Sequence, residues 1–192
     1  MKLYNTPDYV MMDQNHLDLI KSLVICNKPK KSLEIGIGSG AATSKIIEGY
    51  EYNKINLDLT CIDNFCDWNG ISPIELDYVK QTKNIKFIKS NEHDFIVSNI
   101  EKYDFILSDA DHNNTDKWVD KTLDMLNDNG ILIYHDVTNK DYKNLYSIVE
   151  YVKANNIQHM VFNSNSLPEE RCERGLLVIK NNWFLSSLLY NI

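Results

Sequence analysis

The chain has 192 residues, 43% hydrophobic and 24% charged, with 20 lysines and arginines against 27 aspartates and glutamates and a formal net charge of -7. That is the length of one ordinary globular domain, large enough to form a core without disulfides or structural metal. A pI near 5.2 gives no broad basic field, which argues against unspecific nucleic-acid binding and against anionic membrane surfaces.

In chain order, residues 1-12 carry Tyr4, Pro7, Tyr9, Met11 and Met12 and read as a lid or a tail. Helical periodicity predicts helices over 13-26, 40-50, 74-83, 91-100, 115-128 and 140-155. Short β-branched runs predict strands over 32-37, 56-63, 85-89, 103-109, 130-136, 157-163 and 175-180. In 115-128 the apolar residues Trp118, Val119, Leu123 and Leu126 recur three to five apart, Thr115 reads as the N-cap, and Asn129-Gly130 reads as the stop. This alternation is the pattern of a parallel sheet with helices on both faces. The connection from Ser164 to Arg174 is too short and polar for a crossover helix, so strand 175-180 is expected to run antiparallel to 157-163. One domain is expected over 1-192, with its core at about 30-180.

The first strand runs into Glu34-Ile35-Gly36-Ile37-Gly38-Ser39-Gly40. Glycines there let the backbone turn tightly and let a ligand approach at the sheet's carboxyl edge. Asp63 closes the second strand, where a carboxylate can accept hydrogen bonds from ribose hydroxyls. The two features together point to an adenosine-containing cofactor. The dinucleotide fingerprint GxGxxG requires a third glycine inside the helix, and this sequence has Ser44 further on instead, which disfavours an NAD-dependent oxidoreductase.

The pattern Glu34-x-Gly36-x-Gly38-x-Gly40 resembles motif I of the class I S-adenosylmethionine-dependent methyltransferases, over roughly residues 30 to 180. The resemblance implies an α/β Rossmann-like fold whose seven-stranded, mostly parallel sheet has the order 3-2-1-4-5-7-6 with strand 7 antiparallel. It also implies that Gly36 and Gly38 pass close to the methionine moiety of S-adenosyl-L-methionine. On the same ground Glu34 helps hold the amino group, Asp63 takes the ribose, and Asn64 lies near the adenine. After the third strand this family usually has a Gly-Asp pair; Ser90-Asn91 stands there, with Asn91 able to accept the adenine amine's hydrogen bond and Glu92 as its substitute.

Two further strand ends carry Asp109-Ala110-Asp111-His112 and His135-Asp136, neighbours in a doubly wound sheet. Ionisable side chains gathered there are costly unless solvated, paired or metal-bound, and oxygen ligands with at most one imidazole suit Mg2+ or Mn2+. The segment resembles the divalent-metal-dependent O-methyltransferases of the catechol and caffeoyl-coenzyme A type, and still more the antibiotic-sugar branch typified by macrocin O-methyltransferase. Asp109 matches a metal-ligand aspartate of the former and also borders the cofactor, His112 stands where a basic lysine would be, and His135-Asp136 replaces an Asp-Asn pair. The resemblance thus implies metal ligands Asp109, His135 and Asp136, with Asp109, His112 and His135 in catalysis. A metal-free route, with a histidine paired to Asp111 or Asp136 as general base, stays open. So does a structural role for the cluster: Asp111 as a helix cap, His135 as a buried histidine satisfied by a carbonyl.

The expected acceptor is a hydroxyl on a small molecule or sugar. N-methylation, nucleic-acid methylation and an inactive cofactor-binding subunit are the rival readings. The missing NPPY-like tetrapeptide argues against base amines and the acidic pI against RNA. Arg171 and Arg174, the chain's two arginines, fall in one loop with fork geometry for an anion or ring, or for pairing with Glu169, Glu170 and Glu173; Trp68 in 66-73 is a second acceptor candidate. Trp118 reads as core, and His93 and His159 as surface or packing residues. The apolar segment from Trp183 to Tyr190 is a candidate homodimer contact or docks on the sheet. Cys26, Cys61, Cys66 and Cys172 form no CxxC pair, no apolar run reaches the roughly 20 residues of a membrane span, and a cytoplasmic location is expected.

Overall fold

The computed structural model describes residues 12–64, 84–139, 141–163 and 174–181. The expected helix at 74-83, the 66-73 loop, Arg171 and the apolar carboxyl-terminal segment lie outside the described residues, as do residues 1–11. The described elements are α1 (Gln14–Asn27), β1 (Ser32–Ile35), α2 (Ala41–Asn53), β2 (Leu59–Asp63), β3 (Ile85–Lys89), α3 (Glu92–Ser98) and β4 (Tyr103–Ser108). A 3-10 turn (Thr115–Trp118) then leads into α4 (Val119–Asp124), β5 (Leu126–Tyr134), α5 (Lys143–Ala154), β6 (His159–Asn163) and β7 (Gly175–Lys180).

The seven strands form one sheet in the order β3-β2-β1-β4-β5-β7-β6, with β7 antiparallel to both neighbours, as expected. Alternate residues of each strand serve opposite faces, which is why the strand sequences read as near-continuous apolar runs. Phe105, Leu107, Ile131 and Ile133 pack towards α1 and α2 with Leu17, Ile20, Val24 and Ile46. Ile106, Leu132, Tyr134 and Leu177 pack on the other face, against Leu145, Ile148 and Val152 of α5. No helix among the described residues is long and apolar enough to cross a membrane.

The expected helix over 115-128 is corrected. It breaks into a 3-10 turn and a short α4, and the chain is already in β5 at Leu126. Leu126 pairs with Tyr103 while Ile131 pairs with Phe105, so the residues between form a bulge. Asn129, at φ 62, turns the chain inside that bulge, where its N–H donates to the Asn181 carbonyl, rather than stopping a helix. Thr115 is not an N-cap either: its hydroxyl donates to the Glu92 carboxylate and to the Asp111 carbonyl. Within the described residues the remaining expected elements are present with ends shifted by a few residues, as helix and strand boundaries commonly are.

Candidate functional site

The carboxyl ends of β1, β2 and β4 open into a cavity of about 580 Å³, also lined by residues following β3 and β5 and by Met12 ahead of α1. Gly36, Gly38 and Gly40 all have positive φ, at 87°, 49° and 73°, so the loop after β1 takes a path that side-chain-bearing residues resist. At Gly36 the space is closed as well, since a Cβ there would stand 2.3 Å from the Asp109 carbonyl oxygen. The loop is held from the neighbouring strand: Ile37 N–H donates to Asp63 Oδ2 at 2.8 Å, and Gly38 N–H reaches the same oxygen at 3.4 Å.

Of the residues implicated by sequence in cofactor binding, Gly36, Gly38, Asp63, Asn64, Ser90, Asn91 and Asp109 line this cavity. Gly40 stands behind it as the left-handed residue that starts α2. Glu34 also stands behind it. Its carboxyl is fully buried, with the Thr43 hydroxyl donating to Oε2 at 2.6 Å, the Cys61 thiol at 3.4 Å, and no hydrogen-bond partner at Oε1. Burial, only partly offset by those two donors, pushes this carboxyl up to about 8. Asn91 caps α3, its amide oxygen accepting from Asp94 N–H at 2.9 Å. Glu92 braces the cavity wall by accepting from Asp111 N–H, the Thr115 hydroxyl and, more weakly at 3.4 Å, the Ser108 hydroxyl; burial raises its carboxyl above the usual range.

Across the cavity, two carboxylates and two imidazoles form a closed arrangement. Nε2 of His112 lies 3.0 Å from Asp136 Oδ2 and 3.4 Å from Asp109 Oδ1. Nδ1 of His135 lies 3.4 Å from the same two oxygens. Asp136 sits at φ 58, an uncommon conformation for a residue other than glycine. Burial alone would lower both histidines, yet the adjoining carboxylates more than offset it, holding His112 up to about 11 and His135 up to about 10. Burial alone would raise the two aspartates, yet the facing imidazoliums and their hydrogen bonds hold Asp109 below, and Asp136 far below, the usual carboxylate range. Arg174 Nε approaches Asp136 Oδ1 at 3.8 Å.

Asp111 is not part of this arrangement. Its carboxylate accepts from Asn113 N–H and from the Asn114 amide, tying down the turn before Thr115. The donor set nevertheless fits a divalent cation. Asp109, His112 and Asp136 each offer a ligand atom within 4.8 Å of the others, while Asp136 Oδ1 is buried without a hydrogen-bond partner.

One neighbour of the site had no signal in the sequence reading. His16 of α1 is fully buried, with Nδ1 3.2 Å from His135 Nε2, a contact between residues 119 positions apart. Cys61 is buried in the core on the α1–α2 face of the sheet, and Trp118 packs against the core on the other face. His93 stacks on Trp118, and the His159 ring nitrogen Nδ1 faces the Ile157 carbonyl.

A family model described as a methyltransferase domain matches residues 33–137. No curated protein matches the sequence. Among solved structures, an O-methyltransferase from Bacillus cereus in complex with SAH is 14% identical with a TM-score of 0.70, over 92% of this chain and 85% of that one. The O-methyltransferase TomG from Streptomyces achromogenes, involved in tomaymycin synthesis and solved with SAM, is 11% identical with a TM-score of 0.68, over 93% and 84%. The N-methyltransferase NodS from Bradyrhizobium japonicum WM9 is 17% identical with a TM-score of 0.60, over 89% and 99%. At these identities the likeness is one of fold, shared by enzymes that methylate oxygen and nitrogen alike.

Proposed function

Since this chain belongs to the methyltransferase-domain family, as a class I methyltransferase, we propose that it transfers the methyl group of S-adenosylmethionine to a hydroxyl of a small molecule or sugar, with a divalent cation assisting. The observation that carries this reading is one cavity with two unlike walls. One wall is the glycine loop latched to Asp63; the other is Asp109, His112 and His135, with Asp136 buried behind them and paired to both imidazoles.

S-adenosylmethionine supplies a methyl group already activated on a sulfonium, so the protein's tasks are alignment and removal of the acceptor's proton. The glycine loop permits close backbone approach to the methionine end, Asp63 accepts from the ribose, and Asn64, Ser90 and Asn91 border the adenine. Asp109, Asp136 and His135 would hold Mg2+ or Mn2+, which as a Lewis acid lowers the pKa of an acceptor hydroxyl. His112 takes the hydroxyl proton. With only the two carboxylates beside it, His112 keeps its own proton at neutral pH and is a poor base. Once their charge is compensated, Asp109 and Asp136 no longer hold that proton, and His112 returns towards the range where it can accept one.

The cofactor reading is tested by calorimetry of metal-stripped protein with S-adenosylmethionine, S-adenosylhomocysteine and NAD. The first two are expected to bind and NAD is not. Asp63→Ala removes a charge-assisted anchor for the loop and the ribose acceptor together, and a loss of roughly 10- to 100-fold is expected. Failure of both adenosylated ligands to bind overturns the reading. A second expectation concerns Mn2+. Because His112 and His135 are held protonated, cation binding near neutral pH releases about one proton or more per ion, seen by comparing buffers of different ionisation enthalpy. Binding abolished in Asp109→Ala supports the ligand set; binding without proton release excludes the imidazoles from it.

A further inference from the structure

We propose that His16 is a positioning residue for His135, accepting the Nε2–H of that ring and so directing its Nδ1 at Asp109 and Asp136. This inference rests on the metal-assisted reading for its purpose and on geometry for its substance.

Two imidazole nitrogens, His16 Nδ1 and His135 Nε2, face each other at 3.2 Å in a buried layer. One of them must carry the hydrogen and the other a lone pair. The His135 side settles which. A ring that presents Nδ1 as a ligand keeps its remaining hydrogen on Nε2, and metal-binding imidazoles as a rule donate that second N–H to a fixed acceptor. Here the acceptor is His16 Nδ1, so Nε2 keeps its hydrogen whether Nδ1 faces the carboxylates or a cation.

Packing fixes the direction of the contact as well as its chemistry. The His16 ring meets His135 edge-on, with centroids 5.3 Å apart at 81°, and meets Phe162 of β6 at 5.7 Å and 69°. His16 itself is fully buried on α1. His135 is pinned independently, its N–H bonded to the Ser108 carbonyl at the end of β4. Deprived of His16, the His135 ring would have a buried Nε2–H with nothing to receive it, and the ring flip that relieves this would take Nδ1 away from Asp109 and Asp136.

The test compares wild type, His16→Phe, which keeps a ring against Phe162 but offers no acceptor, and His16→Gln, whose amide oxygen can accept. Ring nitrogens are read by long-range proton–nitrogen correlation spectra of the cofactor-free protein, with the His135 signals identified by their loss in His135→Asn. Affinity for Mn2+ alone is read by calorimetry. Wild type is expected to show His135 Nε2 carrying a downfield, slowly exchanging hydrogen, the mark of an N–H held by an acceptor and not of protonation alone. His16→Phe is expected to lose that signature and bind Mn2+ about 10-fold or more weakly, while His16→Gln retains the signature and most of the affinity. The proposal is overturned by an unprotonated His135 Nε2 in wild type, a result that needs no variant to fold. It is equally overturned if His16→Phe behaves as wild type, or if His16→Gln loses as much as His16→Phe, which would make the role one of packing. Should wild type bind no Mn2+, the metal reading falls, and the ring spectra still decide what His16 does.

Discussion

Glu34→Gln is expected to gain stability over the wild-type protein as the pH rises from about 4.5 to about 8, and to hold that gain above it. The Glu34 carboxyl is raised in the folded state, where burial keeps it neutral, and ionises near its ordinary value once the chain unfolds. Between those two values the unfolded state binds fewer protons than the folded state, so stability falls with pH throughout the window and levels off above about 8. At about 1.36 kcal/mol per pH unit crossed, the full difference is roughly 4 to 5 kcal/mol. Glutamine has no such dependence. Its amide oxygen can still accept from Thr43, but its NH2 falls where Oε1 has no partner, so the absolute stabilities of the two proteins are offset by a constant. The informative quantity is therefore the change of the gap with pH, measured by urea unfolding between about pH 5 and about pH 9. Parallel profiles would show that Glu34 ionises normally in the native protein and that water reaches it.

Gly36→Ala carries the largest steric penalty at the site. The residue has φ 87, where a side chain is strained, and the added Cβ would overlap the Asp109 carbonyl group at 2.3 Å from oxygen and 2.7 Å from carbon. The obstacle is backbone at the end of β4, which is held by the Asp109 N–H to Ile35 carbonyl bond and cannot step aside like a flexible side-chain tip. A loss of about 4 kcal/mol or more is expected, against a typical whole-domain stability of about 5 to 15 kcal/mol. In thermal unfolding that is a drop of about 10 °C or more, or a failure to accumulate folded protein. A melting temperature within about 3 °C of wild type would mean that β1 and β4 do not close on each other at Gly36.

The sequence made the glycine-loop side of the cavity readable because its signals are local. Glycines with positive φ, a carboxylate at a strand end and a following helix occur within one βαβ stretch, and the hydrogen bonds from Ile37 and Gly38 to Asp63 join its two strand ends. Convergence of Asp109, His112, His135 and Asp136 followed from strand order alone. Of the two roles open to Asp111, partner of a histidine or local tie, the local one is found, because its short side chain bonds its own turn more readily than it reaches across the cleft. The error at 115-128 arose because Leu126 continues the apolar spacing of α4 while belonging to β5, where its backbone pairs with Tyr103. His16 was illegible for the opposite reason. Nothing near it in the sequence signals the contact it makes, because its partner stands just past the end of a strand, 119 positions away.

Ile35 lies beside Ser108, and Gly36 rests against Asp109, so the floor of the cavity is built from segments more than seventy positions apart. Closing so long a loop precedes the pairing that rewards it, which slows the folding of sheets joined in this way. The consequence is kinetic. A nascent chain that has reached Asn64 already holds the glycine loop and Asp63, yet the wall that completes the cavity has still to be synthesised. A ligand of this cavity therefore cannot template the early steps. It acts on the finished fold, lengthening the lifetime of the native state by slowing its opening while leaving the rate of first folding unchanged.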